Sequence, residues 1–244
     1  EKSGLPGGFV GVDIFFVISG FLITSKLYDE TRSGRFSLLG FYDRRVRRIV
    51  PALMVVLAAT LAAGYIFLSP PEYVRLARQT ALAGVGLSNF YFFTRAGYFE
   101  PAAGEQPLLH TWSLGVEEQF YVFWPLLLFA AYRIGKTRAV LLFLAVVTVA
   151  SLAVSVWFSP RNPSFSFYLL PARAWELGLG ALLVFLPGLG GRLAQAAPAA
   201  GIFLIAVSLF AIDEEMAFPG WVAIVPCVGT ALVLWPRIRA TAAD

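Results

Sequence analysis

The chain has 244 residues, 58% of them hydrophobic and 14% charged, with a mean hydropathy of +0.73. A soluble domain is nearer one quarter charged, so the composition excludes a soluble globular protein and points to an integral membrane protein with the bilayer as solvent. The net charge is +4 and the pI about 9.4. Cytoplasmic loops of membrane proteins gather Lys and Arg for topological reasons, and no soluble segment interleaves basic residues with stacking aromatics, which sets nucleic acid aside.

In chain order, apolar runs long enough to span fall at 8–27, 49–69, 109–132, 138–158, 172–187, 197–213 and 219–236. A span needs roughly 17–25 residues, which makes 172–187 and 197–213 marginal. An eighth segment, 75–94, opens with Arg75 and Arg78 and closes on SNFYFFTR. The expected fold is therefore all-α: a polytopic transmembrane helix bundle with about seven or eight membrane segments, in one domain over residues 1–244. Opening on Glu1 and closing on RIRATAAD, the sequence reads as a fragment cut at both ends.

Loop charges orient these runs. Residues 26–48 hold Lys26, Arg32, Arg35, Arg44, Arg45, Arg47 and Arg48, and residues 133–138 hold Arg133, Lys136 and Arg138. Both loops are expected to be cytoplasmic. Arg192 in the 187–197 loop and Arg237 and Arg239 in the tail carry the same signal, whereas Asp213, Glu214 and Glu215 look external. One alternating path fits only if 75–94 does not cross fully, so that segment is expected to be re-entrant or interfacial, as its FYFF cluster suits.

Four stretches carry polar groups that packing alone does not need. The first is GGFVGVDIFFVISGFLIT, residues 7–24. Asp13 there sits near the start of a span, and a carboxylate at a helix centre costs roughly 2.5–3.5 kcal/mol on insertion scales. It is expected to pair with an Arg or line a cavity, or else to sit at an interfacial helix N-terminus at little cost. Gly8, Gly11 and Gly20 would let another helix approach.

The second is FYDRRVRRIVPAL, residues 41–53. Arg45 and Arg48 are three apart, as are Arg44 and Arg47. Either pair can present two guanidinium forks to a phosphate, or simply retain the loop on the inner face.

The third is HTWSLGVEEQFY, residues 110–121. His110, Ser113, Leu114, Glu117 and Tyr121 recur at helical spacing and line one face. One reading is a polar pocket, with Glu117 as acceptor or charge partner supported by Ser113 and Tyr121. The other is an interfacial helix start capped by Thr111 or Ser113, with acids in its first turns.

The fourth is LLPARAWELGLGALL, residues 169–183, where Arg173 and Glu176 are three apart. They suit a structural ion pair or a site, and Gly178 and Gly180 suit close helix packing. His110 is the only histidine and Cys227 the only cysteine. No disulfide within the chain is possible and no Cys- or His-based metal centre is expected.

Together the four stretches, in this order over residues 7–183, resemble the acyltransferase-3 family of membrane-bound bacterial O-acetylases, the O-antigen acetylase type. The resemblance implies transfer of an acyl group, by family default acetyl, from acyl-CoA to a cell-envelope carbohydrate such as O-antigen, peptidoglycan or exopolysaccharide. It implies a multi-pass protein of the bacterial inner membrane, whose partners are acyl-CoA, the glycan and the lipid bilayer. The family's Arg-x-x-Arg pair falls on Arg45 and Arg48, with Arg44 beside them. Its Ser-Leu-x-x-Glu-x-x-Phe-Tyr motif falls on Ser113, Leu114, Glu117, Phe120 and Tyr121. Asp13, Arg173 and Glu176 match frequent family positions of structural or cavity character.

The family also carries a helix before GGFVGVD with an Arg and a His of catalytic appearance; this sequence opens after it, and His110 does not match that position. Some members continue into more helices and an extracytoplasmic hydrolase-like domain. The base is therefore expected in a longer parent chain. A polytopic lipid or sugar transporter is the alternative from another class, and a catalytically inactive remnant is the third. Neither an internal repeat nor paired broken helices support the transporter.

Overall fold

The computed structural model of the chain describes residues 6–95, 106–213 and 215–237; Glu214 and Arg239 lie outside them. Among the described residues every regular element is helical: α1 (Gly11–Arg32), α2 (Leu38–Phe67), α3 (Pro70–Gly84), α4 (Ser88–Arg95), α5 (Thr111–Phe158), α6 (Pro163–Tyr168), α7 (Leu170–Leu183), α8 (Gly191–Ala211) and α9 (Ile224–Leu234). Helices alone satisfy every backbone group within the segment, as hydrocarbon demands.

Local chemistry sets the boundaries. The Ser37 hydroxyl accepts the Gly40 amide at 3.1 Å and opens α2. Ser69 opens α3, where the Glu72 carboxylate reaches back to accept the Ser69 amide at 2.8 Å. Pro70 and Pro71 follow in the first turn, where their missing N–H is harmless. The Asn162 side chain accepts the Phe165 amide at 3.0 Å and opens α6 on Pro163.

Among the described residues four helices, α1, α2, α5 and α8, are long and apolar enough to cross a membrane. Residue α5 positions Gly135 and Lys136 depart from helical geometry, with Lys136 at φ +55°, so residues 111–134 and 137–158 form separate helical stretches. That break falls in the basic loop expected between the runs 109–132 and 138–158. The expected count of seven or eight spans is met only in part. The runs 172–187 and 219–236 yield α7 and α9, of 14 and 11 residues. Both are short of the roughly 17 residues a perpendicular span needs. Segment 75–94 is not one helix: α3 ends at Gly84 and α4 begins at Ser88, separated by Gly86 at φ +72°. A left-handed residue cannot continue a helix, and glycine adopts it without strain.

The chain divides into two compact units. One comprises residues 1–34 and 127–244; the other comprises residues 35–126. In the first, α1 and α7 cross with glycines on both sides. A methyl added at Gly20 would overlap the Leu177 carbonyl, and one at Gly180 would overlap the Val17 carbonyl. Close backbone approach of this kind drives helix association where lipid removes the hydrophobic incentive. Gly201 and Gly229 do the same for α8 and α9, and Gly178 faces the Thr148 side chain. The expected role of Gly20 holds, but Gly8 and Gly11 meet open space; Gly7 instead sits against the backbone of Ser208 and Leu209. The apolar core there gathers Val10, Val17, Trp175, Phe218, Val222 and Cys227. In the second unit Leu57, Leu76, Ala83 and Leu108 form the core that joins α2 to α3.

Candidate functional site

Within the unit 35–126, α2 and the start of α5 carry the polar groups. Tyr121, one turn after Glu117, donates its phenolic hydrogen to the Glu117 carboxylate. Both are buried, at 4% and 3% exposure. A carboxylate so enclosed needs a donor, because an unmet charge in this environment costs several kcal/mol. On α2, the half-buried Arg45 places its guanidinium over the Tyr121 ring, 4.7 Å from its centroid, and 5.6 Å from that of Phe41. A cation over an aromatic face is attracted by the ring quadrupole, and here the cation also faces the ring whose hydroxyl serves Glu117. Arg45, Tyr121 and Glu117 thus form one connected set.

Arg48, one turn on from Arg45, is exposed and takes a different place. It lines an open groove of about 260 Å³ with Ile49, Leu53, His110, Thr111 and Leu114. This brings His110 and Arg48 to one cavity although sixty-two positions, 110 less 48, separate them in sequence. Arg44 is exposed. Arg47 is spoken for: its Nε donates to both Asp43 carboxylate oxygens at 2.9 and 3.0 Å. Of the two arginine pairs legible in the sequence, Arg45 and Arg48 are therefore the ones that reach Tyr121 and the groove.

Ser113 does not join Glu117. Its hydroxyl donates to the His110 carbonyl at 3.1 Å, a first-turn hydrogen bond, and the Thr111 hydroxyl donates to the Leu108 carbonyl at 2.7 Å. Neither side chain accepts the N–H that a helix cap would. Thr111 and Ser113 thus serve backbone carbonyls rather than cap the helix, and Glu117 with Tyr121 forms a buried polar pair to which Ser113 does not contribute.

Sequence reasoning missed the contribution of α4. The Ser88 hydroxyl donates to the Thr111 carbonyl at 2.7 Å, and the Gln119 amide donates to Asn89 at 2.8 Å. Gly115 lies against Asn89, and the Gly86 turn lies against the Glu118 side chain. These contacts fix the helix that presents Glu117. The signal was SNFY inside an otherwise aromatic run: Ser88 and Asn89 are buried polar residues with work to do.

The unit 1–34 with 127–244 holds a second polar cluster. Arg173 Nη1 donates to Asp13 Oδ1 and to Glu176 Oε1, both at 2.8 Å, and its Nε donates to the Phe167 carbonyl at 3.1 Å. The guanidinium lies between the Phe167 and Phe218 rings, 5.0 and 5.3 Å from their centroids. All three charged residues are fully enclosed. Asp13 is thus paired rather than interfacial, and the i,i+3 pair of the sequence is a triad. The second oxygens of both carboxylates have no hydrogen-bond partner among the described residues.

The same stretches that build these two clusters match known proteins. A family model described as an acyltransferase domain matches residues 3–237. The chain belongs to the acyltransferase-3 family. It is 35% identical over 237 residues to an uncharacterized protein of Haemophilus influenzae, covering 91% of this chain and 96% of that protein. It is 36% identical over 187 residues to the O-acetyltransferase OatA of Staphylococcus aureus, covering 75% of this chain and 30% of OatA. It is also 36% identical over 183 residues to the putative peptidoglycan O-acetyltransferase YrhL of Bacillus subtilis, covering 72% of this chain and 28% of YrhL. The chain therefore spans under a third of the two named O-acetyltransferases. No solved structure matches it. Family membership makes this an acyltransferase domain, and its apolar helices make it a membrane protein.

Proposed function

We propose that the chain is the membrane part of an O-acyltransferase that moves an acetyl group from acetyl-CoA to a cell-envelope carbohydrate at the bacterial inner membrane. The observation that carries this reading is the Arg45–Tyr121–Glu117 set standing on the same two helices as the groove with Arg48 and His110. Family membership and the names of the relatives support the reaction class.

The roles divide by exposure. Exposed Arg48 and Arg44 are suited to the phosphates of CoA, since guanidinium forks bind phosphate bidentately. Arg45, held over Tyr121, positions that ring and through it Glu117. In the transfer, a carbohydrate hydroxyl oxygen attacks the thioester carbonyl. The C–O bond forms, the C–S bond breaks, the hydroxyl proton passes to a base, and the thiolate leaves and is protonated. Glu117 orients the base or the accepting hydroxyl. Asp13, Arg173 and Glu176 hold the fold and take no step.

The test is acetyl-CoA labelled in its acetyl group, supplied to membranes holding the full-length protein. Label appearing in envelope glycan, and absent with Glu117→Gln, supports the reading. Movement of a lipid or sugar across the bilayer with no label transferred would replace it with the transporter.

A further inference from the structure

α3 and α4 meet across the Gly86 turn and leave an open groove of about 620 Å³ between them, separate from the groove of Arg48 and His110. Its floor is apolar: Leu82 from α3, Leu87 from the turn, and Phe90 and Tyr91 from α4. Leu87 and Phe90 are 40% and 45% exposed, although both are large and apolar. Two exposed arginines stand on the same lining, Arg78 one turn before Leu82 and Arg95 one turn after Tyr91. The Arg95 guanidinium lies 6.0 Å from the Tyr91 ring centroid, so the cation is drawn over the apolar floor. No described carboxylate lies within ion-pair distance of Arg78.

The two halves of this lining want different things. An apolar chain alone would leave the Arg78 guanidinium without an anion, and a small anion alone would strand the exposed leucine and phenylalanine. An anionic amphiphile satisfies both, with its phosphate on the guanidinium forks and its acyl chain on the floor. The helices are also of a kind suited to membrane depth at the headgroups: short, broken, and rich in aromatic residues. Basic pockets beside apolar walls are how membrane proteins select anionic lipid headgroups. We propose that the α3–α4 groove is a selective binding site for an anionic phospholipid, with Arg78 and Arg95 taking the phosphate. The proposal does not rest on the transfer reaction, and its test reads lipid binding alone.

The protein is reconstituted in nanodiscs containing photoactivatable phosphatidylglycerol or phosphatidylcholine, and the cross-linked peptides are mapped. The expected result is labelling of residues 78–95 by phosphatidylglycerol several-fold above phosphatidylcholine. The exposed pair changed to Arg78→Gln with Arg95→Gln should bring the two lipids level, while Arg78→Lys with Arg95→Lys should keep most of the preference. Leu82→Trp, which fills the floor and keeps both charges, should reduce labelling by both lipids. Equal labelling in the native protein, or an unchanged preference in the double Gln variant, would overturn the proposal. Displacement of the lipid by millimolar inorganic phosphate would do so too, by making this a soluble-phosphate site.

Discussion

Arg173 and Arg48 are the same residue type in opposite circumstances. Arg173 is fully enclosed, carries two carboxylates and lies between two aromatic rings. Arg48 is exposed on an open groove, one turn from Arg45 on its aromatic partner. Inside an apolar unit an ion must find its counter-charge within the protein, because nothing else is there to supply it. At a groove the protein can leave a guanidinium for a ligand. The first arginine therefore belongs to the fold, and the second is the one we propose for a ligand. Four motifs that the sequence lists in one row sort into these two settings: the first and fourth build the triad, the second and third build the groove and the Tyr121–Glu117 pair.

The largest expected effect breaks the triad. Arg173→Met leaves Asp13 and Glu176 enclosed without their cation and should cost about 3–5 kcal/mol. It should appear as loss of detergent-stable, monodisperse protein. Replacing all three together by apolar residues of similar volume should restore much of that stability; failure to do so would mean that the triad contributes more than mutual compensation.

Tyr121→Phe removes a donor from the enclosed Glu117 carboxylate while keeping the ring under Arg45. Hydrogen bonds to charged groups are worth about 1.5–3 kcal/mol. The expected result is a moderate fall in melting temperature together with slower acyl transfer. A fall in stability alone would make the pair structural and move it to the Arg173 side of the comparison.

Gly180→Ala forces the α1–α7 crossing apart and should cost about 1–3 kcal/mol, as overpacking does. Thermal melts should detect it, and CoA binding measured on protein still folded should be unchanged. The smallest effect lies at the head of α3. Hydrogen bonds from Ser69 hold the exposed Glu72 carboxyl below its ordinary range. The folded form therefore favours the charged carboxylate, so its contribution is present at neutral pH and lost as pH falls through the lowered value. Glu72→Gln should slightly destabilise the protein at neutral pH and should differ less from the native protein in acid.

Much of this was legible in the residues. The apolar runs located α1, α2, α8 and both stretches of α5, because hydrocarbon length and backbone satisfaction leave a membrane chain few choices. The i,i+3 spacing anticipated Arg173 with Glu176, and the i,i+4 spacing anticipated Glu117 with Tyr121. Spacing is silent about partners from other helices. Asp13 joins Arg173 across 160 positions, and Arg45 reaches Tyr121 across a helix pair. Hydropathy also cannot tell a span from a buried short helix, which is why 172–187 and 219–236 read longer than α7 and α9 are. Gly8 and Gly11 look like Gly20 in sequence, and only Gly20 has a backbone against it.

Arg48 is proposed to serve a ligand rather than the fold. The most direct measurement is Arg48→Ala in the full-length protein, read for acetyl transfer and for melting temperature on the same preparation. Loss of the charge-assisted contacts to a phosphate, worth about 1.5–3 kcal/mol, should lower transfer by roughly 10- to 100-fold. The melting temperature should stay at that of the native protein. Full transfer activity, or a loss of stability like that of Arg173→Met, would contradict it.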